Sequence, residues 1–178
     1  RALIDARYAD VMAACRAARI PLHDDAGVAE RIRRTLLASD FAFEVLRRQP
    51  QLLAPAGLER LRANGDASTR AASLELPADE DACMATLRRF RHAEALRIVF
   101  RDVNGLDDID ETLSSTSALY EALLEMALRW AESAMHARFG QPRDPAGVAQ
   151  RMVVLGFGKL GGNELNFSSD IDLVLAYA

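Results

Sequence analysis

The stretch GFGKLGGNELNFSSDIDL, residues 156–173, holds four glycines, the chain's one lysine and an Asp-x-Asp pair. These residue types in this density are suited to handling phosphate, and two chemistries compete for them. Gly156, Gly158 and Gly161 spell G-x-G-x-x-G, the turn of a dinucleotide-binding fold. Asp170 and Asp172 suit a metal-dependent nucleotidyl-transfer site instead. Alternate residues of a strand face the same way, and two neighbouring carboxylates are costly unless a cation lies between them. Mg²⁺ takes such oxygen ligands and bridges to substrate phosphates, and a pair of ions can stabilise both oxygens of an in-line displacement.

Spacing separates the two. A dinucleotide turn opens a full crossover helix with an acidic residue about twenty positions on, and a parallel crossover needs about a dozen residues or more. Here an apolar strand-like run resumes too soon after Gly161. A Walker A loop fails as well, because Lys159 is followed by Leu160 rather than Ser or Thr. In the nucleotidyl-transfer reading, the glycine turn offers backbone N–H groups to an anionic phosphate. Of 22 basic residues only Lys159 is a lysine, and a compact ammonium on a thin stem fits a crowded phosphate pocket better than a guanidinium fork. The bland alternative is a strand start carrying two solvated carboxylates.

The elements that must position this stretch read as helix after helix over residues 1–139, a connector over 140–150 containing two prolines and two glycines, and two strands over 151–178. In the helical part, a first segment over 1–19 stops before Pro21, and a second spans 25–37. Ser39 caps a third over 40–48, which Gln49-Pro50 ends. A shorter one over 52–63 stops at Asn64-Gly65. Residues 64–78, polar and small, read as a loop or linker. A long helix over 79–103 carries acids at its start and arginines in its later turns, as the helix dipole favours. Residues 108–113 read as a separate short turn, with Ser114–Ser117 as caps for a second long helix to Phe139. Leu119, Met126 and Trp130 lie on its apolar stripe and are assigned to core. Met152–Phe157 is a short strand, 158–162 a turn, 163–167 at most two turns of helix, and 170–177 a strand running from a rim inward. The expected fold class is therefore mainly α with a small β part.

Bulk properties narrow the partners. The chain has 178 residues, half of them hydrophobic, and a net charge of −4. That opposes a strongly basic nucleic-acid surface, and clusters such as Arg31, Arg33, Arg34 and Arg88, Arg89, Arg91 read as solvated helix faces. Cys15 and Cys83 have neither disulfide-scaffold nor zinc spacing, which fits a reducing cytoplasm. His92 and His136 lack convergent ligand partners and read as packing or surface residues. No apolar run reaches membrane-spanning length and no signal peptide is visible. The opening on Arg1 and the stop after an apolar run suggest a piece of a longer protein.

Phe157-Gly158-Lys159 followed by Asp170-Ile171-Asp172-Leu173 resembles the glycine-turn and DhDh signature of polymerase-beta-like nucleotidyltransferases. The longer string GFGKLGGNELNFSSDIDL, with SDFAFEVLRRQPQLL and LRRFRHAEALRIVFRD before it, resembles a narrower family: the bifunctional glutamine synthetase adenylyltransferase/adenylyl-removing enzymes. ELNFSSDIDL is similar to their N-terminal, adenylyl-removing half. The resemblance covers the chain from about Ser39 onward, weakly over 64–78. It implies that residues 151–178 are the first two strands of a nucleotidyltransferase domain whose third carboxylate lies on a later strand, so that the chain alone turns over little. It implies Mg²⁺ held by the catalytic pair Asp170 and Asp172, and phosphate oxygens held by Lys159 and the backbone around Gly158, Gly161 and Gly162, with Ser168 and Ser169 as added donors. The implied reaction is phosphorolytic removal of AMP from glutamine synthetase, releasing ADP. Inorganic phosphate, adenine nucleotides and a PII-type regulatory protein are the other implied partners. The forward adenylyltransferase half, and a non-catalytic helical docking module, remain as alternatives.

Overall fold

The computed structural model describes residues 2–21 and 25–177. The expected helix start at Arg1 and the terminal Ala178 lie outside the described residues. The chain is mainly α with one small sheet. In order, the helices are α1 (Ala2–Ala17), α2 (Ala26–Ala38), α3 (Asp40–Arg48), a 3-10 turn (Pro50–Leu53), α4 (Pro55–Arg62), α5 (Ala67–Ala72), α6 (Glu80–Val103) and α7 (Ile109–Phe139). Strand β1 (Met152–Phe157), the one-turn α8 (Gly158–Gly161) and β2 (Asp172–Tyr177) follow. No described helix is long and apolar enough to cross a membrane.

Local chemistry explains most boundaries. Asp25 accepts hydrogen bonds from the N–H groups of Gly27 and Val28 at the start of α2, and Ser39 accepts from Ala42 at the start of α3. Each side chain satisfies an amide that the helix leaves without an internal partner. Three expectations need correction. Residues 64–78 are not all loop, because Asp66 accepts from Ser68 N–H at 3.0 Å and Ala67 and Ala71, four apart, are both buried in α5. The segment 108–113 is not separate from the long helix. Asp108 and Glu111 cap each other's backbone N–H groups at 2.9 and 2.8 Å, a reciprocal capping box, so Ser114–Ser117 lie inside α7 rather than at its end. The stretch 52–63 is split by Pro55, which sits in the first turn of α4, where its missing N–H costs nothing.

Two compact units form, one from Arg1–Gly65 with Arg91–Thr112, the other from Asp66–Phe90 with Leu113–Ala178. The first unit's core gathers Val11, Cys15, Leu36, Leu46, Leu96 and Phe100, each at most 2 % exposed. Each buried Val, Leu or Phe side chain of this set contributes about 1.5–3 kcal/mol by leaving water. Arginine is part of that interior, at positions outside the clusters read as solvated. Arg97 is 1 % exposed and Arg101 5 %. Glu94 receives Arg97 Nε at 3.0 Å and Arg60 through Nε and a terminal nitrogen at 3.2 and 2.7 Å. Arg101 grips Asp107 and donates to the Arg62 carbonyl. Of the clusters read as solvated, Arg34, Arg88 and Arg89 are exposed, while Arg31, Arg33 and Arg91 are half-buried, Arg33 stacking 4.0 Å above the Tyr8 ring. His92 packs edge-on to Phe41 and pairs with Gln49. Both cysteines are free and buried, and burial raises the Cys15 thiol above its ordinary pKa, against the opposing charge of Arg16.

In the second unit, Leu119 and Met126 of α7 are each 1 % exposed, as their stripe predicts. Trp130 is half-buried, and its indole N–H donates to the Pro77 carbonyl at 2.8 Å, tying the segment before α6 to α7. Glu132 receives Arg151 and the Met152 N–H, fixing where β1 begins. β1 and β2 pair antiparallel, from Met152 opposite Tyr177 to Phe157 opposite Asp172. An antiparallel pair is incompatible with a dinucleotide crossover, as the short spacing indicates.

Candidate functional site

The site is the segment 156–173 that joins the two strands. Gly158 has φ +58°, a conformation that glycine adopts without strain, and it turns the chain out of β1. That exit decides where β2 starts. Asp172 pairs with Phe157, the last residue of β1, so Asp170 and Ile171 precede the strand, two residues later than the pattern suggests. The expected turn over 158–162 is one turn of helix, α8, with Leu160 4 % exposed. Gly161 lies so close to β1 that a Cβ there would stand 2.5 Å from the Gly156 carbonyl oxygen. The expected helix over 163–167 is absent. Its place is taken by an irregular loop in which Leu165 is fully buried and its N–H is bound at 3.0 Å by the Ser117 hydroxyl of α7.

The polar groups fall into two sets. Asn166 Oδ1 accepts from the Ser168 N–H, the Ser168 hydroxyl and the Ser169 hydroxyl at 3.2, 3.1 and 2.7 Å. Both serine hydroxyls are thus committed within the loop, and either would have to turn from Asn166 to donate to a phosphate. Lys159, Asp170 and Asp172 are exposed, and among the described residues their side chains make no hydrogen bond or ion pair. One Asp172 carboxylate oxygen lies 3.6 Å from where a Gly158 Cβ would be. The glycine turn and the second aspartate are therefore brought together across the end of the hairpin. Exposed, uncommitted carboxylates are the donor chemistry a hard cation takes. Among the described residues no group of three or more His, Cys, Asp or Glu is assembled.

The strands bury little. Register puts Val153, Leu155, Phe157, Asp172 and Val174 on one face, all exposed. On the other face Val154, Gly156 and Leu173 line a cleft of about 310 Å³ with Leu160 of α8 and residues of α7. Sequence reasoning missed Ser117 and Asn166. Ser117 was legible only as a cap, and Asn166 only through its spacing of two and three from the serines.

A mainly helical chain that ends in an antiparallel hairpin, with a glycine turn, a lysine and two aspartates at the hairpin's tip, is the class the geometry defines. The family model for glutamate-ammonia ligase adenylyltransferase, GlnE, matches residues 29–178. The chain belongs to this family. It is similar to bifunctional glutamine synthetase adenylyltransferase/adenylyl-removing enzymes. The relative from Xanthomonas campestris pv. campestris (strain ATCC 33913) is 46% identical over 151 residues, 85% of this chain and 16% of that protein. That from Thioalkalivibrio sulfidiphilus is 41% identical over 84% of this chain and 16% of its own length. That from Pseudomonas aeruginosa is 43% identical over 83% and 16% respectively. The chain spans 16% of the length of each of these three curated relatives.

Proposed function

We propose that this chain supplies part of a nucleotidyl-transfer site that removes AMP from adenylylated glutamine synthetase. The observation that carries the reading is the approach of the Asp172 carboxylate to Gly158, which joins the glycine turn to the second aspartate. Family membership and the relatives' names support the substrate class.

In the reaction, an oxygen of inorganic phosphate attacks the adenylyl phosphorus. A new P–O–P bond forms, the bond to the tyrosyl oxygen breaks, and ADP departs while the tyrosine regains a proton. Lys159 and the backbone of the Gly158–Gly162 segment hold phosphate oxygens. Asp170 and Asp172 would hold Mg²⁺, which when bound neutralises negative charge on the phosphate groups. The direction of transfer, the phosphate co-substrate and a PII-type regulator rest on the likeness of ELNFSSDIDL to the adenylyl-removing half.

The test uses the complete protein containing this chain. Asp172→Asn preserves size and removes one charge, so release of AMP with phosphate and Mg²⁺ supplied should fall about 100-fold or more, with adenylylation retained. Lys159→Arg keeps charge but changes shape and should raise the phosphate concentration needed. Normal AMP removal with collapsed adenylylation in Asp172→Asn would assign the segment to the forward reaction. No loss in either direction would leave a docking module.

A further inference from the structure

We infer that Ser117, inside α7, is the positioning residue for the loop that carries the aspartate pair. The inference rests on the nucleotidyl-transfer reading. Ser114–Ser117 have the composition of a helix cap, but α7 begins at Ile109 and its cap is made by Asp108 and Glu111. The serines are thus free for another task. Ser117 is fully buried. Its hydroxyl donates to the Leu113 carbonyl at 3.0 Å, and its oxygen accepts the Leu165 N–H at 3.0 Å. Leu165 is itself fully buried and lies between α8 and Asp170. Among the described residues its N–H has no backbone acceptor, so Ser117 alone satisfies it. One turn earlier, Ser114 Oγ accepts from Asn163 Nδ2 at 3.4 Å. Two hydroxyls on one face of α7 therefore seat the loop at two points.

A buried N–H deprived of its acceptor costs enough to move a loop that has no regular structure of its own. Without Ser117 the loop reorganises to find water, and Asp170 and Asp172 shift with it. Displacements of about 1 Å at reacting groups cost up to about 100-fold in rate.

In the complete protein, Ser117→Ala should lower kcat about tenfold or more in whichever direction of transfer Asp172→Asn abolishes. It should also raise the Mg²⁺ concentration for half-maximal rate, with KM for the modified glutamine synthetase unchanged. Ser117→Thr keeps the hydroxyl and should restore most of the rate. Asn163 has φ +58°; Asn163→Gly keeps that conformation accessible, deletes the second seat and should give the same changes in milder form even if Ser117→Ala folds poorly. Amide exchange at Leu165 should quicken in Ser117→Ala. Unchanged Mg²⁺ dependence and unchanged Leu165 exchange would overturn the inference, as would a rate loss matched by lost folded protein and not rescued by Thr. If Asp172→Asn leaves both directions intact, the proposed function fails, and Leu165 exchange still decides whether Ser117 seats the loop.

Discussion

Glu94 in the first unit has no exposed surface and receives two arginines, whereas Asp172 in the second stands in the open beside the backbone of a glycine turn. Both are carboxylates in a chain rich in arginine, so composition does not separate them. Environment does. A buried carboxylate is tolerable only with opposite charge and hydrogen bonds around it, and Glu94, Arg97 and Arg60 supply those to one another. The same holds for Arg101 and Asp107. At the hairpin tip the charges have been kept apart from the protein's own partners, which leaves them available to ligands from outside.

The comparison breaks most visibly in paired charge-removing substitutions. Glu94→Gln removes the buried charge that Arg97 and Arg60 share, and should lower unfolding free energy by about 3 kcal/mol or more, read as a drop in denaturation midpoint. Asp172→Asn should hardly move that midpoint while lowering AMP removal about 100-fold or more. A large stability loss in Asp172→Asn would erase the distinction.

A smaller effect is expected at the seam between α8 and β1. Gly161→Ala forces a methyl against the Gly156 carbonyl oxygen, and should destabilise the second unit by about 1–3 kcal/mol with the first unit's core unaffected. Amide exchange resolved by residue would check it, and a uniform loss across both units would contradict the separation.

The smallest effect is one of pH. Burial alone would raise the Glu132 carboxyl, but hydrogen bonds from Arg151 and the Met152 N–H, with the charges of Arg151 and His136, outweigh it and hold the pKa below normal. A carboxyl whose folded pKa is depressed adds stability above its unfolded value, about 4.3, and loses it as pH falls through the lower folded value. The start of β1 should therefore loosen below about pH 4, and Glu132→Gln should flatten that part of the profile.

Much of the helical part was readable because caps and breakers act locally. Ser39, Asp25 and Gln49-Pro50 work through neighbours one to four residues away. The failures came where distant partners decide. Arg97 and Arg101 are enclosed against the carbonyls of Ala63 and Arg62, 34 and 39 residues away in the sequence. The Ser114–Ser117 caps were misplaced because Asp108-x-x-Glu111 outcompetes them, and the helix expected over 163–167 is absent because Leu165 gives its N–H to α7. At the candidate site, residue types and spacing point to phosphate chemistry. That Asp170 precedes β2 depends on where Gly158 ends β1, and the bonds of Ser168 and Ser169 to Asn166 are made within the loop.

Trp130 is the chain's one tryptophan, and its indole N–H is bonded to Pro77 within the second unit. Its fluorescence is consequently an intrinsic optical reporter for that unit alone, while far-ultraviolet circular dichroism sums over the helices of both. Following the two signals through one denaturant titration separates the melting of the unit that carries the hairpin from that of the arginine-lined core, without any label.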